Sequence, residues 1–456
     1  CGPAPVTIAG GPYAIDGDVA LDGGGLVTLS GEGAHRLFHV QLGASLRLAN
    51  LTLTDGSAVE GAGSILNEGA LVLDTVVIRD SKTTGADSGG GAIANLGGTL
   101  TIFGSQLLAN EAAFTGGALL LHEGVTVIDN SVIDGNTAQA FGAIDTTGDL
   151  TIRNTMIRGN RATAADGGGV GVVKGVALIE GSLIEGNFSG GGGGGVYSGP
   201  NYPGTTVTIR DTRIAQNEAD SAFAGSLGGG IFSGARLTLE RVTVEGNRSY
   251  SAGGLFQYGG EGRLTVSDAT FSNNSAVHVA GGFWLNGALG HHFTNVTISA
   301  NTAGDWAGGV YGVDYPAELQ NVTIFGNRAQ IGANLYNVRT TSTFTSTLIG
   351  DPQGGGANCG AADSAQPARS GGHNLVSDAT CGLNEDSDQS GVGLLLGPLV
   401  DNGGTTQTHL PLAGSPAIDA AETACPGADQ RGYVRPAGAA CDAGAVEVGA
   451  APPSPP

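Results

Sequence analysis

The sequence predicts an all-β chain wound as a single-stranded parallel β-helix of about 12 coils, with three short strands in each coil. Three observations carry that prediction. An apolar-x-apolar run followed shortly by an asparagine returns nine times, ending at Asn110, Asn136, Asn160, Asn187, Asn217, Asn247, Asn274, Asn301 and Asn327. The gaps are 26, 24, 27, 30, 30, 27, 27 and 26 residues, the fixed period of a solenoid whose units cannot bury their apolar faces alone. Each period holds two β-rich runs alternating apolar residues with threonine, and none of the i, i+3, i+4 patterning of a helix.

The elements follow in order. Residues 1–50 read as an N-terminal cap with irregular first coils, because strand-like runs such as Leu26-Val27-Thr28-Leu29 and Leu46-Arg47-Leu48 lack the period. A stacked sheet has an open edge there that needs covering. Residues 51–350 are the β-helix proper. Its earliest coils carry Leu51-Thr52-Leu53 and Val76-Val77-Ile78, with Gly56 and Ser81 where later coils have asparagine. In the regular coils the first strand reads like Leu237-Thr238-Leu239 and the second like Val296-Thr297-Ile298. Alternation turns the threonine outward. A third strand opens on paired glycines, as in Gly229-Gly230-Ile231 and Gly253-Gly254-Leu255. The asparagine belongs at a bend, where it tolerates a left-handed backbone and can bond its counterpart one strand spacing (about 4.8 Å) away. The nine asparagines are therefore expected to form a structural ladder. The periodic coils end near Gly350. Residues 351–448 form a C-terminal cap or anchor-type module, and 449–456 a stiff proline-rich tail.

Composition narrows the function classes. Glycine supplies 83 of 456 residues without a three-residue period, and 40% of residues are hydrophobic, which excludes collagen and intrinsic disorder. The net charge is −22, with only Lys82 and Lys174 as lysines. Such a surface repels nucleic acid phosphates and anionic lipid headgroups. No apolar stretch reaches the roughly 20 residues of a membrane-spanning helix. No calcium-binding loop motif occurs, so no metal and no cofactor is expected.

Cysteine is confined to Cys1, Cys359, Cys381, Cys425 and Cys441. Four in the last hundred residues suggest two disulfides and an oxidising compartment. Chain order favours Cys359–Cys381 with Cys425–Cys441, one of three pairings. Cys1 resembles the first residue of a mature bacterial lipoprotein, where the thiol carries lipid; an intermolecular disulfide is the alternative.

The C-terminal hundred residues carry a more specific resemblance. The runs Asp401-Asn402-Gly403-Gly404-Thr405-Thr406, His409-Leu410-Pro411 and Gly414-Ser415-Pro416-Ala417-Ile418-Asp419 are followed by Asp429-Gln430-Arg431-Gly432, Arg435-Pro436 and Cys441-Asp442-Ala443-Gly444-Ala445-Val446-Glu447. Together they resemble the choice-of-anchor Q family of bacterial surface proteins. The resemblance implies a right-handed β-helix of pectate-lyase-like type, with repeats related to those of polymorphic outer-membrane proteins. It also implies secretion or cell-surface display, with a C-terminal anchoring or sorting element.

Catalysis finds little support in the residues. Lyases and hydrolases of this fold need clustered or paired carboxylates, whereas Asp129, Asp134, Glu180, Glu185, Asp211 and Glu245 fall at differing coil positions. His291-His292 has no acid neighbour in sequence and reads as surface. One stripe is less bland. Tyr197, Phe232, Phe256, Trp284, Tyr311 and Tyr336 directly follow the apolar residue of the Gly-Gly strand in six successive coils. If Val196, Ile231, Leu255, Phe283, Val310 and Leu335 point inward, the aromatics form an exposed interaction ladder. With the opposite register they stack in the core. Earlier coils place Ala94, Leu119, Asp145 and Gly171 there. The resulting expectation is a non-catalytic extracellular scaffold or adhesin whose partners are copies of itself, other surface proteins or glycans. End-to-end assembly into an extracellular filament or sheath is a further expectation; a polysaccharide lyase or hydrolase and a glycan-binding surface module are the alternatives.

Overall fold

A computed structural model of the protein describes residues 6–7, 10–200, 202–259, 262–287, 290–314, 316–363, 365–422 and 425–452. Cys1 and residues 453–456 of the proline-rich tail lie outside the described residues. The chain divides into two compact units, one of Cys1–Thr208 with Gln216–Asp220, the other of Ile209–Ala215 with Ser221–Pro456. Each is a parallel β-helical stack.

One coil of the second unit shows why this sequence winds. The long strand Arg236–Glu240 buries Leu237 and Leu239 and turns Thr238 outward. Arg241 then takes φ 52°, bending the chain into the second strand, Thr243–Glu245. A second left-handed residue, Gly246 at φ 63°, precedes Asn247 and the short bridge Arg248–Ser249. A third, Ala252 at φ 57°, swings the chain into the Gly-Gly strand Leu255–Gly259. Three left-handed residues per coil bend the chain at its three corners. They are mostly Gly, Asn or Asp, the residues for which that conformation costs least, with Ala at several corners.

The asparagine corner differs from the sequence expectation in one respect. The left-handed residue is the one before each ladder asparagine: Ala109, Gly135, Gly159, Gly186 and Gln216 in the first unit, and Gly246, Asn273, Ala300 and Gly326 in the second. That residue makes the bend, which leaves the asparagine side chain free to turn inward.

Each coil contributes one strand to the Gly-Gly sheet. The first unit supplies eight, from Tyr13–Ile15 to Val196–Ser198, and the second six, from Ile231–Ser233 to Cys359–Ala362. That makes fourteen coils among the described residues, close to the dozen expected. The additional ones lie at the ends, where the asparagine phrase is missing. In particular the stack does not end near Gly350. Cys359–Ala362 continues from Leu335–Val338, Leu375–Val376 from Leu348–Ile349, and Gln389–Ser390 from Leu375–Val376. The remaining chain forms an antiparallel hairpin of Leu396–Val400 with Thr408–Pro411 and folds back along the second-strand face of its unit. Disulfides join Cys359 to Cys381 and Cys425 to Cys441.

The core of the second unit is aromatic. Phe271, Phe283 and Phe293 are fully buried, with ring centroids 4.0 Å apart for the first pair and 5.1 Å for the second. Each such side chain contributes roughly 1.5–3 kcal/mol on burial.

Candidate functional site

The nine asparagines hold the coils together. In the first unit, Nδ2 of Asn110, Asn136, Asn160 and Asn187 donates to Oδ1 of the asparagine one coil on at 2.9–3.0 Å. In the second, Asn247, Asn274 and Asn301 do the same toward Asn274, Asn301 and Asn327. The other amide hydrogen reaches a carbonyl, as from Asn160 to Ile133 at 3.0 Å. The receiving Oδ1 also accepts the neighbour's main-chain N–H, as Asn160 does from Asn136 at 2.9 Å. A buried amide so fully paired carries no chemistry toward a ligand. At the next corner Pro352 stands where the asparagine would be. The ladder there passes to Asn334, which takes the second-glycine position of its coil, and on to Asn358 at 2.7 Å.

The acids are more ordered than the sequence suggested. Register aligns Asp129, Arg153 and Glu180 in one column and Asp134, Arg158 and Glu185 in another. Arg158 lies 2.9 Å from Asp134, and Arg153 lies 3.5 Å from Glu180. In the second unit Arg241 forks onto Asp211 at 2.7 and 2.8 Å, and Arg213 meets Glu245 at 2.6 Å. The acids of these pairs sit beside arginine from a neighbouring coil, an exposed arrangement worth about 0.2–1 kcal/mol per pair.

The aromatic column points outward, because the residues before its members are buried. Yet it is packed rather than presented. Phe256 is only 4% exposed, and the other five are half-buried. Centroids are 5.1 Å apart for Phe232–Phe256, 5.1 Å for Phe256–Trp284, 5.4 Å for Trp284–Tyr311 and 5.9 Å for Tyr311–Tyr336. Trp306 stacks on Tyr336 at 5.9 Å, and Ala252 and Ala280 close over Phe256. Ring faces are occupied by neighbouring rings, so the column is an external apolar seam more than a platform for sugars.

In the first unit, Tyr197 packs on Phe141 at 5.7 Å. Upstream the column holds Ala94, Leu120 (not Leu119, which points inward), Asp145 and Gly171. Asp145 is 8% exposed. One of its oxygens accepts from Thr115 at 2.6 Å and the other has no partner among the described residues. Burial pushes its pKa up to about 6, against smaller lowering effects of Thr115 and His122.

The C-terminal motifs build a clamp. Arg435 and Glu447 are both buried and 3.5 Å apart. Glu447 also accepts the main-chain N–H of Ala437 at 2.7 Å and of Asp442 at 2.8 Å. Arg431 forks onto Asp429 at 2.9 and 2.7 Å. Gln430 reaches the stack itself, accepting from Thr297 at 2.6 Å and donating to Thr270 at 2.8 Å. His409 pairs with Ser299 at 2.8 Å. The residues that carried the resemblance thus fasten this segment to outward threonines and serines of the second unit.

The remaining polar concentration lies on the long-strand face of the second unit. Register aligns Thr265, His292, Glu318, Thr343 and Arg369, with Ser267, Thr294, Gln320 and Thr345 in the next outward column. Two clefts of 570 and 270 Å³ share Glu318 and Thr343. The larger adds Arg339, Thr340, Thr341, Asp363 and Arg369. His292 is not an isolated surface residue: its Nδ1 is 2.9 Å from Glu318, and Arg263 lies 3.0 Å from its Nε2. A guanidinium only donates, so Nε2 is the acceptor in that contact, while Nδ1 faces Glu318. His291 is buried, and desolvation first, then His292 and Arg263, lowers its pKa to about 4. Arg339 forks onto Asp314 at 2.6 and 3.0 Å, whereas Arg369 is exposed and makes no ion pair among the described residues. The groove offers hydroxyls, an amide, a carboxylate and guanidinium groups at strand spacing. Sequence reading missed it because only register sets Glu318 beside His292 and places Arg369 two strands further along the same column.

Residues 143–328 match a family model described as a right-handed β-helix region. No curated protein matches the sequence. Among solved structures the chain is similar to the crystal structure of pectate lyase Pel9A at 15% identity and a TM-score of 0.41, over 79% of this chain and 89% of that one.

Proposed function

We propose that the chain is an extracellular adhesive scaffold that binds polyhydroxylated glycan strands in the groove of His292, Glu318, Thr343 and Arg369. The observation that carries this reading is the groove itself. One outward column carries His292, Glu318, Thr343 and Arg369, the last without an ion pair among the described residues, and the next carries Thr294, Gln320 and Thr345. Hydroxyl-rich ligands are held by such pairings at fixed spacing, and guanidinium takes a sugar carboxylate bidentately. The two disulfides support an oxidising, extracellular setting. The test is a glycan array followed by calorimetry on the full chain. Glu318→Ala and Arg369→Ala should each weaken binding by about tenfold, the value of one good polar contact. Unchanged affinity in both variants, or no binding across neutral and acidic glycans, would rule the reading out.

A second reading, cleavage of an acidic polysaccharide, is favoured by the Glu318–His292–Arg263 contacts. An assay for unsaturated products and new reducing ends separates it from binding alone. Display through lipid on Cys1, and self-association, are further expectations of the sequence. The mass of the native N-terminal peptide and electron microscopy of the purified chain test them.

A further inference from the structure

We infer that the chain carries a self-cleaving peptide bond at Asp351–Pro352. The argument starts from the asparagine corner. Coil after coil, the residue before the ladder position is left-handed, as at Ala300 and Gly326, and at the next corner it is Asp351, at φ 51°. The following residue there is Pro352 in place of asparagine. A residue before proline is sterically biased to the extended region. The corner therefore holds Asp351 in a conformation its neighbour disfavours, and the surrounding coils enforce it. Leu348–Gly350 pairs in register with Thr323–Phe325, and the Gln353 N–H donates to the Asn327 carbonyl at 2.9 Å.

Three further features are chemical. Asp351 is exposed, and its carboxylate makes no hydrogen bond or ion pair among the described residues. The Gln353 side-chain amide donates to the Asp351 carbonyl oxygen at 3.2 Å, where negative charge develops if that carbonyl is attacked. Proline makes the bond a tertiary amide. The Asp351 carboxylate attacks its own carbonyl carbon and forms a five-membered cyclic anhydride. The bond to Pro352 breaks, and the proline nitrogen takes a proton from solvent and leaves as a secondary amine. Water then opens the anhydride and regenerates both carboxyl groups of Asp351. No oxidant or cofactor is consumed.

The consequence is specific to this fold. Both disulfides lie beyond the bond, so no covalent link would join the two pieces. The contacts of Gln430, His409 and Asn358 would still hold the C-terminal piece against the stack.

The experiment holds folded chain at pH 4 and 7.5 and reads it by denaturing mass spectrometry, with circular dichroism to confirm folding. Fragments ending at Asp351 and beginning at Pro352 are expected, co-eluting as one species under native conditions. Asp351→Asn and Pro352→Ala should stay intact, and Gln353→Ala should cleave about tenfold more slowly, as for loss of a weak oxyanion donor. The same chain unfolded in guanidinium is the control. If the folded chain cleaves at this bond no faster than the unfolded one, or not at all, the inference is overturned.

Discussion

The ring of Phe141 lies across the backbone of Gly171, so closely that a methyl group at position 171 would overlap the ring. Phe141 occupies a left-handed corner, φ 47°, where the neighbouring coils place Gly116 and Gly167. Gly171 itself is not left-handed, so the clash is steric alone. Gly171→Ala should cost about 1–3 kcal/mol by overpacking, measured as a lower urea midpoint. Adding Phe141→Gly should recover most of it. A Gly171→Ala chain as stable as the parent would show that the ring does not sit there.

Asn160→Ala should be among the most damaging single changes in the first unit. It strips an acceptor from the main chain and side chain of Asn136 and a donor from Ile133 and Asn187. Stranding buried polar groups costs roughly 1–3 kcal/mol each. Hydrogen exchange should rise first at the amides of Asn136 and its neighbours, and exchange confined to distant coils would contradict the assignment.

The stability of the first unit should fall as pH rises from about 4 to about 7. Burial raises the Asp145 pKa from 3.8 to about 6, so the folded state holds a proton that the unfolded chain has released. The proton-linked stabilisation is complete below the unfolded value and lost as pH climbs through the folded one. A rise of that size is worth about 3 kcal/mol. Asp145→Asn should flatten the profile and raise the melting temperature at pH 7. A profile that keeps its slope in that variant would locate the effect elsewhere.

Glu447→Gln should loosen the C-terminal segment without unwinding the coils. It leaves the Arg435 guanidinium buried without its counter-charge, a change that costs about 3–5 kcal/mol. Limited proteolysis should then cut within 391–452 while the stack survives, and global unfolding without such cuts would refute a separable clamp.

The coils were readable in sequence because each repeats one local combination of apolar alternation, left-handed bend and asparagine. Where Pro352 broke the phrase, the stack went on unseen, since Asn334 and Asn358 restore the ladder from a glycine position. Alternation left two registers open for Val196, Ile231, Leu255, Phe283, Val310 and Leu335, and it is the fold that turns them inward. The packing of ring on ring was not legible, because it depends on Ala252, Ala280 and Trp306 from the preceding loop. The groove was invisible for a related reason: His292, Glu318 and Arg369 are 26 and 51 residues apart, and only the register places them in one column, with Thr343 between the last two.

The docking of Gln430 on Thr270 and Thr297, and of Ala445 on Thr323, makes the C-terminal segment a ruler. Its contact points are set one coil apart, so they count the coils beneath them. Inserting or removing a whole repeat among those coils would put every contact out of phase. The first unit has no such gauge in its described residues. The spacing thus ties the docked segment to the number of coils between Thr270 and Thr323.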